Sequence, residues 1–529
     1  MKNGPLIPKA EKRPFRIALL SIIGIQTIFS FFLIFRFPQA DCTLTYLVAM
    51  HNVESGVYHL GTDPTPNDFR VVKAKDGYVH ATYEPGIPHL YSLMISAGHK
   101  IDSALFKDNA LWQGWDKGVF SAKYAMVELP HLLVLPVTCA LIFLMLTKMG
   151  CSLATTSWIS LLGAASTIIP WNASPIARDG LGLPFSVASF YFAFSGRVEG
   201  KDSRRRLWYF GAGVSSGLAV LMKLTTATVA APVFFYIALS EWRRQGNSGG
   251  RLVSVAVFTA PLLVATVLFF LDRWLVFGSI FAGPINTSIE NYSIWIPIYE
   301  GLFGLLMSPG KGLFWYNPIL VLLFASWGVF KDRWTLESHA FLIHAVVLIF
   351  PLAAQSSWAG DEAYGPRYML SLIPWGLIVV GCWLDQRKKN AFLKSNLLAI
   401  TGILVQLPAL LVSLTTAGVA HKLSAGWAFP HKHFWPSLSP IVLFWKALLS
   451  KLSNGYFYGE SHLWSPTTQY PYPPMVDFAE TFAWRETFFY EIVHLKWDIA
   501  IPFLVIAAIA SGICLYGLVY ALKKNSLNP

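Results

Sequence analysis

The chain has 529 residues, of which 54% are hydrophobic, 15% aromatic and only 13% charged, with a mean hydropathy of +0.48. A soluble protein of this length with so little charge would expose one continuous apolar surface, so a polytopic helical membrane protein is implied instead. The formal net charge of +12 falls mainly in short links between apolar runs, the pattern of cytoplasmic loops rather than of a nucleic-acid-binding face.

In chain order, Lys2, Lys9, Lys12, Arg13 and Arg16 precede a first apolar run over 17–37. That run is longer than a signal-peptide core and lacks a small-residue cleavage pattern after it, so it reads as a retained helix with its N-terminus in the cytoplasm. Further runs follow at 124–146, 153–171, 181–196, 207–222, 224–240, 252–271, 312–330, 339–354, 368–384, 397–416 and 499–522. Each is long enough or nearly long enough to cross a bilayer core, which gives about twelve spans. Basic residues concentrate in alternate links (Arg197 to Arg206, Arg243 to Arg251, Arg387 to Lys394), which orients both termini to the cytoplasm.

Two long loops, 38–123 and 417–498, are then external. Within the first, Leu44, Leu47, Val48 and His51, and again Leu90, Leu93, Met94 and Ala97, recur at helical spacing. Both stretches predict amphipathic helices lying along the membrane interface. The second loop is crowded with Trp, Tyr and Pro, as in an aromatic belt at headgroup level. The expected division is a transmembrane core over 1–416, an aromatic-rich outer loop over 417–498, and a last span with its tail over 499–529. Cys139, Cys151, Cys382 and Cys514 lie in or beside apolar runs and only Cys42 in an external loop, which is no disulfide framework. Asn172, Asn286 and Asn291 open glycosylation sequons in form, a pattern common by chance.

Charged residues at the outer ends of spans stand out, because a charge there is costly unless it is used. They are Asp41, Arg178 with Asp179 in "ARDG", Lys223, Lys311 in "SPGKG", and Arg367 in "DEAYGPRYM". Together they predict one outward-facing cavity lined by two acids and four cations. Arg clamps a phosphate in bidentate fashion, Lys adds a point charge, and a neighbouring carboxylate can take a proton from an incoming hydroxyl or amine. Such a set suits transfer from a lipid phosphate.

Each residue also has a structural reading. Asp41 is placed to cap the helix behind it, Arg367 to pair with Asp361 or Glu362, and Lys223 to snorkel to headgroups. Lys311 sits in a Gly/Pro turn and Glu84 in the turn before Pro85. His421, His431 and His433 lack the partners and spacing of a metal site.

The stretches "YLVAMHNVESGVYHL", "HATYEPGIPHLYSLM", "LLMSPGKGLFWYNPILVL" and "GPRYMLSLIP", behind an acid just after the first span, resemble the GT-C glycosyltransferases. The likeness is greatest to bacterial relatives of the protein O-mannosyltransferases and the lipid A aminoarabinose transferases. The resemblance implies an all-α enzyme of a bacterial inner membrane with its active site on the periplasmic side. It would move a sugar, with inversion, from a polyprenyl-phosphate donor to a glycan, lipid or protein acceptor. It further implies Asp41 as base and a substrate site including Tyr83, Glu84, Arg178, Asp179, Lys223, Lys311, Tyr364 and Arg367. Relatives often carry an Asp-Glu pair where this chain has Asp41-Cys42, so a divalent metal ion is an open expectation. The competing class is a secondary transporter, whose site would lie at the bilayer midplane between repeats; no repeat is visible and the charges lie at one face.

Overall fold

The computed structural model describes residues 12–34, 45, 48–50, 52–53, 55–56, 71–73, 79–81, 84–105, 122–174, 178–244, 248–280, 295–360, 364–386, 389–411, 431–454 and 497–526. Its main helices are α1 (Lys12–Ile34), α2 (Gly86–Leu105), α3 (Ala122–Lys148), α4 (Leu153–Trp158), α5 (Leu183–Val198), α6 (Asp202–Met222), α7 (Ala230–Trp242) and α8 (Ser248–Phe277). They continue with α9 (Ile298–Met307), α10 (Leu323–Arg333), α11 (Thr335–Ala353), α12 (Ile373–Asp385), α13 (Lys389–Leu411), α14 (Pro440–Asn454) and α15 (Trp497–Ser526). A short antiparallel hairpin, β1 (Val71–Lys73) with β2 (Val79–Ala81), pairs Val72 with His80 in the first long loop. The helical expectation did not include it.

Among the described residues, eight helices are long and apolar enough to cross a membrane, not the twelve expected. The other four expected spans are helical, and the physical reason each falls short is visible. Around 153–171 the helix gives way to a π turn over Ile159–Gly163 and resumes only at Ile169–Asn172. Helix α5 has 16 residues. Helix α6 begins DSRRR, which lowers its hydropathy. The stretch 312–330 is divided into Leu313–Tyr316, a 3-10 turn at Pro318–Leu322 and α10.

This is an integral membrane protein by what it leaves uncovered. Leu252, Val264, Val267 and Leu275 of α8, and Ile506 and Ile513 of α15, are more than half exposed, apolar surface that only lipid covers at low cost. At the other extreme, 89% of the segment Arg367–Asp385 is buried against 11% of Val505–Asn525, so α12 is central and α15 peripheral. Helices α5, α6 and α8 pack side by side, as do α1 with α3 and α15. Where α5 meets α6, Ser189 Oγ lies 2.6 Å from Ser216 Oγ; small hydroxyl residues let two apolar helices approach while pairing their polar atoms. The expected amphipathic segment around Leu90 is α2, packed on α3 and α6. Residues 45, 48–50, 52–53 and 55 are helical, and Ser92 Oγ donates to the Ala49 carbonyl at 3.4 Å.

Because α5 runs from residue 183 to 198 and α6 returns from 202 to 222, their connected ends mark one end of the bundle and their free ends the other. At the connected end, Arg197 pairs with Glu337, which also accepts from Tyr236 Oη at 2.8 Å. Nearby, Arg205 Nε lies 3.1 Å from Glu241 Oε1, which accepts from Tyr209 Oη at 3.1 Å. Both acids are buried and both pairs are closed by a tyrosine. The opposite end carries the candidate site.

Candidate functional site

Four chain segments converge where α5 begins and α6 ends. The first is the 3-10 turn Arg178–Gly182, which places Asp179 at 1% exposure. This turn lies hard against the end of the Ile169–Asn172 helix: a Cβ on Gly180 would sit 1.8 Å from the Asn172 carbonyl oxygen. Only glycine allows that approach, and it fixes the carboxylate next door. Asn172 is itself buried, its Nδ2 donating to the Ile168 carbonyl at 2.9 Å, so its sequon offers no surface asparagine. Asn286 and Asn291 lie outside the described residues.

The second segment is the break after α6. Lys223 adopts an extended conformation, φ −161° and ψ 128°, between α6 and the turn Leu224–Ala227. Thr226 Oγ1 donates to the Lys223 and Ala219 carbonyls at 2.8 and 3.1 Å, alongside the backbone N–H bonds those carbonyls already accept, and so ties the two sides of the break together. The break turns the lysine inward, and its Nζ lies 3.1 Å from Asp179 Oδ1. Lys223 is therefore a buried ion-pair partner and not a snorkelling side chain.

Arg367 supplies the third contribution from the start of the 3-10 turn Arg367–Leu372 that leads into α12. Its Nη1 donates to Asp179 Oδ2 at 3.3 Å. Its Nη2 donates to Tyr368 Oη at 3.4 Å, and its Cζ stands 5.1 Å from the Tyr368 ring centre. Glu84, just before α2, is the fourth: Oε1 accepts from Leu224 N–H at 3.3 Å and lies 3.7 Å from Lys223 Nζ.

Asp179 thus holds one cation on each carboxylate oxygen, while Lys223 bridges two acids. The side chains of Lys223, Glu84 and Arg367 retain 10%, 13% and 14% exposure. Two cations balance two acids within the cluster. An anion brought to this cluster would compete with Asp179 and Glu84 for a preformed set of donors.

Of the residues expected in one cavity, the structure brings Glu84, Asp179, Lys223 and Arg367 together. Arg178 lies in the same 3-10 turn as Asp179. Lys311 is buried in a neighbouring loop, where its N–H donates to Ser308 Oγ at 3.0 Å and Gly310 N–H donates to the His433 carbonyl at 3.0 Å. Tyr316 ties that loop to the site: its Oη donates to the Gly310 carbonyl at 2.8 Å and its ring packs edge-on to Tyr364 at 4.9 Å. Tyr364 is wholly buried, its Oη donating to the Val405 carbonyl and its ring 6.0 Å from Trp171. It supports the segment leading to Arg367 rather than facing an opening. Asp41 and Tyr83 lie outside the described residues, as do Asp361 and Glu362.

Tyr368, Thr226 and Gly180 were not read from the sequence. The signals are the aromatic directly after Arg367, the threonine three residues past Lys223, and the glycine after Asp179. Among the described residues no group of three or more His, Cys, Asp and Glu side chains could hold a metal ion. The two site acids face Lys223 and Arg367 instead, while Asp41, on which the metal expectation rests, lies outside the described residues.

The family of dolichyl-phosphate-mannose-protein mannosyltransferases matches residues 43–282, a region that contains Glu84, Asp179 and Lys223. Similar solved structures include ArnT from Cupriavidus metallidurans bound to undecaprenyl phosphate, at 14% identity and a TM-score of 0.43, covering 96% of this chain and 77% of that one. The apo state of the same protein aligns at 13% identity and 0.42, covering 94% and 75%. The archaeal oligosaccharyltransferase AglB from Archaeoglobus fulgidus, in complex with an inhibitory peptide and a dolichol-phosphate, aligns at 12% identity and 0.42, covering 73% and 54%. Likeness at this level carries no argument about mechanism. No curated protein matches.

Proposed function

We propose that the chain is a membrane glycosyltransferase of the GT-C type, moving a sugar from a polyprenyl-phosphate donor to a glycan, lipid or protein acceptor with inversion at the anomeric carbon. The observation that carries this reading is the bridging of Asp179 by Lys223 and Arg367, with Glu84 on the other side of Lys223. The family match over 43–282 supplies the reaction class. The natural setting is the outer side of a bacterial inner membrane, both termini being cytoplasmic.

The chemistry follows from charge. A polyprenyl phosphosugar is a phosphodiester with one negative charge; when the bond from the anomeric carbon to the phosphate oxygen breaks, polyprenyl phosphate leaves with two. Arg367 and Lys223 stabilise the added charge as it develops, so their effect is greater in the transition state than with bound substrate. The acceptor oxygen or nitrogen attacks the opposite face of the anomeric carbon, and its proton passes to a carboxylate. Asp41 is the base assigned by the resemblance, while Asp179, already committed to two cations, orients them.

The test is a transfer assay with purified protein in liposomes, labelled polyprenyl-phosphate sugars and a cell-envelope extract as acceptor source. Label should move into acceptor with the wild type and not with Asp41→Ala or Arg367→Ala. Solute uptake by the same liposomes, with no covalent product, would replace the enzyme by a carrier.

A further inference from the structure

A second cluster lies at the end of the bundle remote from Asp179, where α3 and α12 both terminate. Cys151 Sγ lies 3.8 Å from Cys382 Sγ, and Cys382 Sγ lies 3.9 Å from Met149 Sδ. We infer that Met149, Cys151 and Cys382 form a binding site for a soft monovalent metal ion, Cu(I).

The local backbone is built for this convergence. Met149-Gly150-Cys151 follows α3 in a tight turn with Gly150 at φ +83°, a left-handed conformation that glycine adopts without strain. Gly150 N–H donates to the Thr147 carbonyl and Cys151 N–H to the Leu146 carbonyl, both at 3.0 Å. The turn is closed from the other side by Asp385 at the end of α12, whose Oδ1 accepts from Ser152 N–H at 2.8 Å. Cys382 reaches the turn from α12. Cys382 and Met149 are buried at 3% and 2% exposure, whereas Cys151 is half-buried, which gives an ion one way in.

The spacing and chemistry select the ion. A first-row metal–thiolate bond is about 2.3 Å, so three sulfurs around one ion in a plane stand about 4 Å apart. The separations of Cys382 Sγ from Cys151 Sγ and from Met149 Sδ, 3.8 and 3.9 Å, are close to that value. A disulfide would need the two cysteines to close to about 2.05 Å and would leave Met149 without a part. Zinc favours four ligands with nitrogen or thiolate sulfur, while two thiolates and a thioether are the soft set that selects Cu(I).

Without metal, the Cys151 thiol donates to Cys382 Sγ, and the Cys382 thiol donates to Met149 Sδ. Loading replaces both thiol protons, which leave to solvent, by one Cu(I) with no change of oxidation state. The loaded site carries a single negative charge. Arg333 is at hand to balance it, its Nη2 lying 3.8 Å from the position of a Cβ on Gly150.

The test uses the full-length protein in detergent under reducing, oxygen-free conditions, titrated with Cu(I) against a chromogenic Cu(I) chelator. The expected result is uptake of one equivalent per chain and an X-ray absorption spectrum of copper bound by sulfur alone. Uptake should be lost in Cys382→Ser and in the more accessible Cys151→Ser, weakened at least tenfold in Met149→Leu, and unchanged in Cys139→Ser. Failure of the wild type to compete with the chelator, oxygen or nitrogen at the copper, or full retention of the equivalent in Cys382→Ser or Cys151→Ser would each overturn the assignment.

Discussion

The two ends of the helix bundle both bury arginine against carboxylate, yet they do so in different ways. At one end, Arg205 meets Glu241 and Arg197 meets Glu337, with Tyr209 and Tyr236 completing the acids' hydrogen bonds. The four charged side chains come from the first or last turns of continuous helices. At the other, Asp179, Lys223 and Arg367 come from a 3-10 turn, a helix break and the entry to another 3-10 turn. One carboxylate is shared by two cations there, and both cations keep some exposure. Burial of opposite charges is therefore no mark of a functional site by itself, because a closed pair only orders the fold. What sets the candidate site apart is irregular backbone at the ends of spans, which turns two cations toward one carboxylate.

The contrast is tested first where the effect is greatest. Glu241→Ala strands Arg205 without its buried partner and should cost about 3–5 kcal/mol of stability, read as a lowered midpoint of denaturation in detergent. Transfer per folded molecule should stay unchanged. Arg367→Ala should do the reverse: transfer falls by about 10²–10³-fold, as for loss of one transition-state donor, while the denaturation midpoint moves far less than in Glu241→Ala.

Gly180→Ala probes the backbone behind the site. Its Cβ meets the Asn172 carbonyl oxygen, so the 3-10 turn must shift. We expect about 1–3 kcal/mol of overpacking cost and a fall in transfer of about tenfold, checked by denaturation and initial rates on the same preparation. The smallest effect is expected from Tyr368→Leu. It removes a ring 5.1 Å from the Arg367 guanidinium, worth about 0.5–1 kcal/mol in a partly exposed setting. That appears as a two- to five-fold weaker apparent affinity for donor.

Much of this arrangement was legible in the sequence because membrane cost is a local property. A lysine or arginine beside a 20-residue apolar run is conspicuous wherever it folds, and so Asp179, Lys223 and Arg367 could be singled out and assigned to one side. Their pairing was not legible. Arg367 was weighed against its neighbours Asp361 and Glu362, whereas the described partner is Asp179, 188 residues away. Glu84 reads equally as a turn residue before Pro85, and its contact with Lys223 depends on how α2 packs on α6.

Tyr364 shows what sequence proximity does not convey. The resemblance implies it in the substrate site beside Arg367, yet the turn through Gly365 and Pro366 separates their directions, and the tyrosine goes into the core against Tyr316 and Phe444. The interruptions within the expected spans were illegible for a related reason. Apolar composition does not register the π turn at Ile159–Gly163 or the Pro318 turn, since a broken helix and a continuous one bury similar residues.

The most direct test of the central claim is equilibrium binding of undecaprenyl phosphate to detergent-solubilised wild type, Arg367→Ala and Arg205→Ala, each first shown to be folded. The account predicts at least tenfold weaker binding for Arg367→Ala and wild-type binding for Arg205→Ala. Equal affinity in all three proteins, or a loss confined to Arg205→Ala, would contradict it and remove the Asp179 cluster from the lipid-phosphate site.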